Sequence, residues 1–332
     1  MEEVVKTSIL YTNCLEFHYQ FNDESHSMNA LVFNKCEAEV LAILRELSQK
    51  MRICIEIETE PIDQGGLRSW LKIKGNSKEV TIKDLIMIAS IGGILAGIFT
   101  NPLNIAVGEI VKHSIELLFE DDEITELKKL KEKKQIQLDI IKLEEELKNR
   151  STKIDENVVI KRRSNYYSTL NQYPKVNKVS IALEDEKRHV AIEHTIDKKD
   201  FEKFVLESDE LEPIIQSDAI IEIVSPVLKK GKYKWTGIYN GEVIQFKMKS
   251  IEFKTLVQSG KIVFKNGFTF ECELAINRRM TNEGETRITS YEVLCVNRYY
   301  DNDNPIETPE GRRKRKKHEA EKLQLTLFDD DN

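Results

Sequence analysis

Leu85–Val107, LIMIASIGGILAGIFTNPLNIAV, lies in the longest uncharged stretch of this chain, and its reading decides the fold. Leu85 to Phe99 is nearly all apolar, with small residues at Ala89, Gly92, Gly93, Ala96 and Gly97, and the Gly93-x-x-x-Gly97 spacing lets two helices approach backbone to backbone. A lipid span needs about 20 predominantly apolar residues. The stretch reaches that length only by taking in Thr100, Asn101, Pro102 and Asn104. Asn101-Pro102 reads instead as a break, because proline keeps the preceding residue out of the helix and suits the first turn of the next one. The spacing therefore predicts a helical hairpin. Its first arm runs over 82–99, with Thr81 and Asp84 placed as a capping box. Its second runs over 103–119, with Leu103, Val107, Ile110, Val111, Ile115 and Leu118 on one face and Glu109, Lys112, His113 and Glu116 on the other. Such a hairpin is buried in protein, shared with a second copy of the chain. Insertion in lipid is the alternative.

Upstream, residues 1–80 read as a small α/β unit of α+β character. Leu15 to Phe21 alternates as a strand and Ala30 to Phe33 reads as another. A helix then begins at Asn34 and carries Val40, Leu41, Leu44 and Leu47 in a stripe. Ile53, Ile55 and Ile57 alternate with polar residues, and Leu67 to Ile73 forms a partner strand carrying Trp70. His18 alternates with Phe17 and Tyr19 and reads as a surface or edge histidine.

Downstream, residues 81–150 join the apolar hairpin to one long charged helix over 121–150. Ile140, Leu143 and Leu147 continue a 4-3-4 spacing from Ile136, and with Gly93 and Gly97 they form the predicted self-association surface of a homo-oligomer. Residues 151–178 are polar and basic and read as a linker with a short helix, where Arg162 and Arg163 beside Tyr166 and Tyr167 form a candidate nucleic-acid contact. Residues 179–300 read as a β-rich domain, beginning with strands at 179–183 and 190–195 and holding a hairpin turn at Asn240-Gly241. Alternation in that domain predicts Tyr233 and Trp235 buried, with Lys232 and Lys234 exposed.

Composition narrows the function. The net charge of −7 on 332 residues argues against a nucleic-acid binder that uses its whole surface, while leaving room for a local basic face. Five scattered cysteines without a CxxC pair fit free thiols in a reducing compartment, and the first residues lack a secretory pattern, so a cytoplasmic location is expected. No phosphate-binding loop, dinucleotide fingerprint, nucleophile elbow or metal-spaced cysteine set is present, so neither a cofactor nor a metal is called for and no enzyme is expected. The nearest thing to a catalytic set is Asp218 with Glu252-Phe253-Lys254, a poor match to a metal-dependent nuclease because the tripeptide falls where a short helix is predicted. His189 and His194 bracket a strand on alternating faces and do not converge on a metal.

From 301 the composition turns to prolines and alternating charge blocks, and 301–332 is expected to be a largely disordered tail. Arg312, Arg313, Lys314, Arg315, Lys316 and Lys317 form an unbroken basic run suited to phosphate contacts. Gln324-Leu325-Thr326-Leu327-Phe328 then sets three large apolar residues in a polar context. This pentapeptide resembles the short motif by which bacterial polymerases, mismatch-repair proteins and other DNA-processing factors bind the replicative sliding clamp, with threonine where serine or aspartate is commoner. The resemblance implies that Gln324 hydrogen-bonds at the rim of the clamp pocket, and that Leu327 and Phe328, preceded by Leu325, fill its apolar floor. Two expectations follow. One is a non-enzymatic oligomeric accessory protein of bacterial or phage DNA metabolism, tethered to the clamp and touching DNA. The alternative is a membrane-associated effector with the β-rich domain as sensor. They conflict, because Lys72, Lys74, Lys78 and Lys83 before the apolar stretch, against Glu109, Glu116 and Glu120 after it, would put a tail beyond a single span outside the cell.

Overall fold

The computed structural model describes residues 7–23, 27–60, 67–75, 80–129, 134–229, 231, 233–265, 267–301 and 304–317. The fold is α+β in two compact units. The first comprises Met1–Ser208 with Thr281–Glu285, the second Asp209–Met280 with Thr286–Asn332.

The first unit is a sheet covered by helices. Its strands are β1 (Cys14–Phe21), β2 (Ile55–Glu60), β3 (Leu67–Gly75), β4 (Val176–Glu184) and β5 (Val190–Asp197), in the order β2-β3-β1-β4-β5. Every pairing is antiparallel. Its helices are α1 (Ala30–Met51), α2 (Ile82–Thr100), α3 (Val107–Phe119), α4 (Asp122–Lys129), α5 (Lys134–Ser151) and α6 (Glu156–Gln172).

The apolar stretch is the centre of this unit. Thr81 and Asp84 close the predicted capping box, with Asp84 N–H donating to Thr81 Oγ1 at 3.2 Å and Thr81 N–H to Asp84 Oδ2 at 2.9 Å. At the far end the break comes at Asn101, whose Nδ2 donates to Gly97 O at 2.8 Å. Ile86, Ile91, Ile94, Leu95, Ile98 and Phe99 are fully enclosed. Among the described residues α2 alone is long and apolar enough to cross a membrane, and it is mostly buried in protein.

The small residues serve contacts within one chain. A Cβ on Gly97 would lie 2.9 Å from Ile110 Cγ2 of α3, and Ser114 Oγ of α3 donates to Gly93 O at 3.3 Å. Ile140, Leu143 and Leu147 are 2 %, 5 % and 0 % exposed, packed in the same core. Of the residues of the predicted self-association surface, Gly97, Ile140, Leu143 and Leu147 pack against neighbours within the chain, whereas a Cβ on Gly93 would meet nothing within 4 Å.

Other expectations also change. The first helix begins at Ala30, capped by Asn29, whose Oδ1 accepts from Leu31 N–H at 2.9 Å, so 30–33 is helix and not strand. The second arm starts at Val107, because Pro102 O accepts from Ile105 N–H and turns the chain first. The single charged helix is two helices, α4 and α5, which pack on each other with Lys128 reaching Glu144 at 3.5 Å. Residues 151–178 are more than a linker with a short helix. They hold α6, which packs along α1, and the boundary of the unit falls after Ser208 because β4 and β5 complete the first sheet.

The second unit is a closed five-stranded barrel of β6 (Glu210–Ser225), β7 (Trp235–Tyr239), β8 (Glu242–Met248), β9 (Thr269–Met280) and β10 (Thr286–Asp301), with α7 (Ile251–Gln258) between β8 and β9. The order is β10-β8-β7-β6-β9, closed by β9 on β10, and only β10 and β8 run parallel. Trp235, Phe246, Phe253 and Phe270 fill it. Asn240 and Gly241, at φ 51° and 81°, make the predicted hairpin turn. Trp235 is buried as predicted, but Tyr233 is 64 % exposed because β7 begins only at Trp235.

Candidate nucleic-acid and partner interface

Beyond the barrel, β11 (Asn304–Glu307) pairs with β10, and residues 309–317 form a helix, α8. The expectation of a disordered tail is corrected over 304–317. Local chemistry explains it. Thr308 is 2 % exposed, and its Oγ1 donates to Val296 O while accepting from Gly311 N–H at 3.0 Å, an N-cap that also bolts the helix to β10. Thr308 N–H donates to Asn297 O at 3.0 Å. The Glu310 carboxylate accepts from Ser250 Oγ at 2.6 Å, and Ser250 in turn caps α7 by accepting from Phe253 N–H at 3.1 Å. At Gly311 a Cβ would run into the Asn297 carbonyl, so only glycine lets the helix backbone lie this close to the strand.

The basic run therefore occupies fixed positions on a helix. Lys314 is half-buried and pairs with Glu273, and Arg313 pairs with Glu252 of α7. Arg315 Nε meets Glu307 Oε1 at 2.9 Å, and Arg312 Nε lies 3.6 Å from Glu307 Oε2. Glu307 is held below the usual carboxylate range, first by its hydrogen bond from Arg315. Lys316 is exposed and has no ion-pair partner among the described residues. A cleft of about 690 Å³ opens beside α8, lined by Asp218, Glu271, Arg298, Glu307, Lys314 and Arg315. Its charges are largely paired, Arg298 Nε meeting Glu271 Oε2 at 3.0 Å.

The residues of the weak nuclease match separate here. Asp218 lines the cleft, whereas Glu252 sits on α7 paired with Arg313, and Lys254 lies on the same helix. Among the described residues no group of three or more His, Cys, Asp or Glu is arranged to hold a metal ion.

Arg162 and Arg163 are both engaged within the first unit. Arg162 Nη1 pairs with Glu39 of α1 at 3.1 Å. Arg163 is 0 % exposed and its Nη1 donates to Ile98 O at 3.0 Å and Asn101 O at 2.7 Å, capping the carbonyl end of α2. Burial lowers its pKa to about 10. Tyr167 donates its hydroxyl to Phe99 O beside it, and Tyr166 packs edge-on against Phe99 at 4.8 Å. What the sequence offered as a basic and aromatic surface is the lock on the end of the core helix.

One polar cluster had no single signal in the sequence. On the sheet of the first unit, Glu16 and Glu184 are both nearly buried, 6 % and 4 % exposed, on the paired strands β1 and β4. Arg68 Nη1 meets Glu16 Oε1 at 3.0 Å and Arg188 Nη1 meets Glu184 Oε2 at 3.2 Å. Arg188 also stacks over Trp70 at 4.5 Å and reaches Cys14 Sγ at 2.9 Å. Burial first, then Glu16, pushes the Glu184 carboxyl up to about 7, against the pull of Arg188. The two carboxylates, Glu16 on β1 and Glu184 on β4, are 168 positions apart, a meeting that no local pattern announces. His189, the histidine of that turn, bonds through Nδ1 to Asp185 Oδ2 at 2.9 Å and His194 lies exposed on β5, so neither joins a metal site.

Gln324, Leu325, Leu327 and Phe328 lie outside the described residues. Compared with family models, curated proteins and solved structures, the chain matches none.

Proposed function

We propose that the chain is a non-enzymatic adaptor of bacterial or phage DNA metabolism, held in the cytoplasm on a sliding clamp by Gln324, Leu325, Leu327 and Phe328 and touching DNA through its second unit. The observation that carries this reading is the order of parts at the C-terminal end: a small closed barrel, a cationic helix seated on it, then the clamp-type pentapeptide. The barrel order β6-β7-β8-β10-β9, with β8 and β10 parallel and a helix between the third and fourth strands, has the connectivity of an OB-fold. That scaffold carries oligonucleotide-binding faces in many unrelated proteins, so the likeness supports the reading by analogy. Arg312, Arg313, Lys316 and Lys317 are exposed, and their charge, shared in part with Glu307 and Glu252 by Arg312 and Arg313, is available to a phosphate backbone.

The competing reading as a membrane effector asks α2 to leave a core where its large side chains are enclosed. Withdrawing each one from that packing forfeits about 1.5–3 kcal/mol before any lipid contact is made. The adaptor reading asks nothing of α2.

The test uses the full chain against an immobilised bacterial sliding clamp, beside a variant with Leu327→Ala and Phe328→Ala. Micromolar or tighter binding that the double substitution abolishes is expected. Equal binding by both proteins, or none by either, overturns the proposal.

A further inference from the structure

An alternating row of charges crosses the cleft beside α8. Arg298 of β10 is the ladder partner of Glu271 on β9 and of Glu307 on β11, so three side chains stand in line across three neighbouring strands. Glu271 is 8 % exposed and already answered, by Arg298 Nε at 3.0 Å and by Asn297 Nδ2, which donates to its other oxygen at 3.5 Å. Glu307 is gripped from α8 instead. Arg315 approaches it as a fork, Nε to Oε1 at 2.9 Å and Nη2 to Oε2 at 3.4 Å, and Arg312 brings its Nε to 3.6 Å from Oε2. One carboxylate thus holds two guanidiniums. A third stands beside it on the ladder, since Arg298 meets Glu271 through Nε and its two terminal nitrogens have no partner among the described residues.

Three guanidiniums around one oxyanion suit another oxyanion equally well. Guanidinium binds carboxylate and phosphate with the same two-pronged geometry. A phosphodiester also carries the single charge of a carboxylate, so a backbone phosphate can replace Glu307 one for one and leave both arginines of α8 paired. The space is there, in a cleft of about 690 Å³ with Lys314 and Lys317 on its wall. Glu307 is free to yield it. It ends a four-residue edge strand and its side chain is 34 % exposed, so it swings aside without opening the barrel core.

We infer that this cleft is a phosphate seat for a DNA strand, held shut by Glu307 as the chain's own stand-in for the phosphate. The inference rests on the DNA contact of the proposed adaptor, and adds its location and its regulation. A phosphate must displace a carboxylate that belongs to the same chain and is therefore present at high effective concentration. The intrinsic affinity for DNA is low for that reason, and the seat fills when the chain is already held close to a strand.

The experiment measures binding of the full chain to a labelled single strand and to its duplex, by anisotropy across a salt series. Glu307→Gln keeps the size of the side chain and removes its charge. Glu212→Gln makes the same change in net charge at an exposed position of β6 outside the cleft. A third variant adds Arg315→Gln to Glu307→Gln, and Trp235 fluorescence checks the barrel in each. Glu307→Gln is expected to bind DNA about tenfold tighter than the native chain, with a salt slope steeper by about 1. Glu212→Gln changes the affinity by less than about twofold. Adding Arg315→Gln removes the gain.

Equal affinity in the native chain and Glu307→Gln, a gain matched by Glu212→Gln, or a gain that survives Arg315→Gln overturns the inference. Inorganic phosphate titrated into Glu307→Gln separates the two sources of the anion, and phosphate binding without a gain on DNA overturns the strand as the ligand. Clamp binding is measured on the same proteins. Clamp binding without the gain on DNA contradicts this inference alone, whereas the gain without clamp binding supports the seat and overturns the adaptor reading.

Discussion

Helices α2 and α8 are opposites in composition, and each defies the behaviour its composition suggests. The most apolar helix, with the small-residue spacing of a membrane or oligomer contact, spends those features inside its own unit, where Gly97 admits Ile110 and Arg163 closes the carbonyl end. The most cationic helix is a seated part of the barrel, with Gly311 against Asn297 and a buried threonine at its cap. In both, glycine allows a close approach and a polar side chain finishes the end. What differs is the source of stability. α2 is held by apolar volume, worth a great deal and tolerant of no polarity. α8 is held by a few hydrogen bonds, one glycine and largely exposed ion pairs, each of which contributes little.

Substitutions sharpen that contrast, and the two tryptophans, Trp70 in the first unit and Trp235 in the second, report each unit separately when the other is replaced by phenylalanine. The largest effect is expected from Ile94→Ala in α2, which empties a fully enclosed site and destabilises the first unit by about 3–4 kcal/mol in urea unfolding followed at Trp70. Arg163→Ala strands the Ile98 and Asn101 carbonyls and costs the same unit about 3 kcal/mol. If that change proves neutral, the closure of α2 does not depend on Arg163.

The third effect is one of pH. Glu184 titrates near 7 in the folded chain against an ordinary value of 4.5, so the folded state holds the proton more tightly than the unfolded state. The stability this contributes is complete below about 4.5 and is lost as the pH rises through about 7, on the order of 2 kcal/mol. Glu184→Gln flattens this slope for the Trp70 unit and leaves the Trp235 unit unchanged, and a slope that survives the substitution places its source elsewhere. Gly311→Val comes last, at about 2 kcal/mol or less, felt at α8 and β10 through Trp235 and not at Trp70.

Local chemistry was legible in the sequence. The capping box at Thr81 and Asp84, the break at Asn101-Pro102 and the turn at Asn240-Gly241 each rest on a few adjacent residues, and each appears where the pattern puts it. Long-range pairing was not. Strand β4 joins β1 from across the whole helical middle, and nothing in Val176 to Glu184 distinguishes that partner from β6 or β9. α6 misled because its buried face includes Lys161 and Arg163, charged residues that a hydropathy pattern assigns to solvent. α8 misled for the opposite reason. Its charge suggested a free tail, while the sign of order was the small Thr-Pro-Glu-Gly cap before it, which supplies an N-cap, a first-turn proline, a carboxylate for the neighbouring cap and a glycine for close packing.

The claim that most separates this account from a reading of composition is that the basic run belongs to the barrel. Native-state amide hydrogen exchange on the full chain, resolved by segment, tests it directly. The account predicts protection across 309–317 above that of an unstructured peptide, weaker than in 82–100, and lost from 309–317 alone in Gly311→Val. Exchange of 309–317 in the native chain at the rate of a free peptide would contradict it.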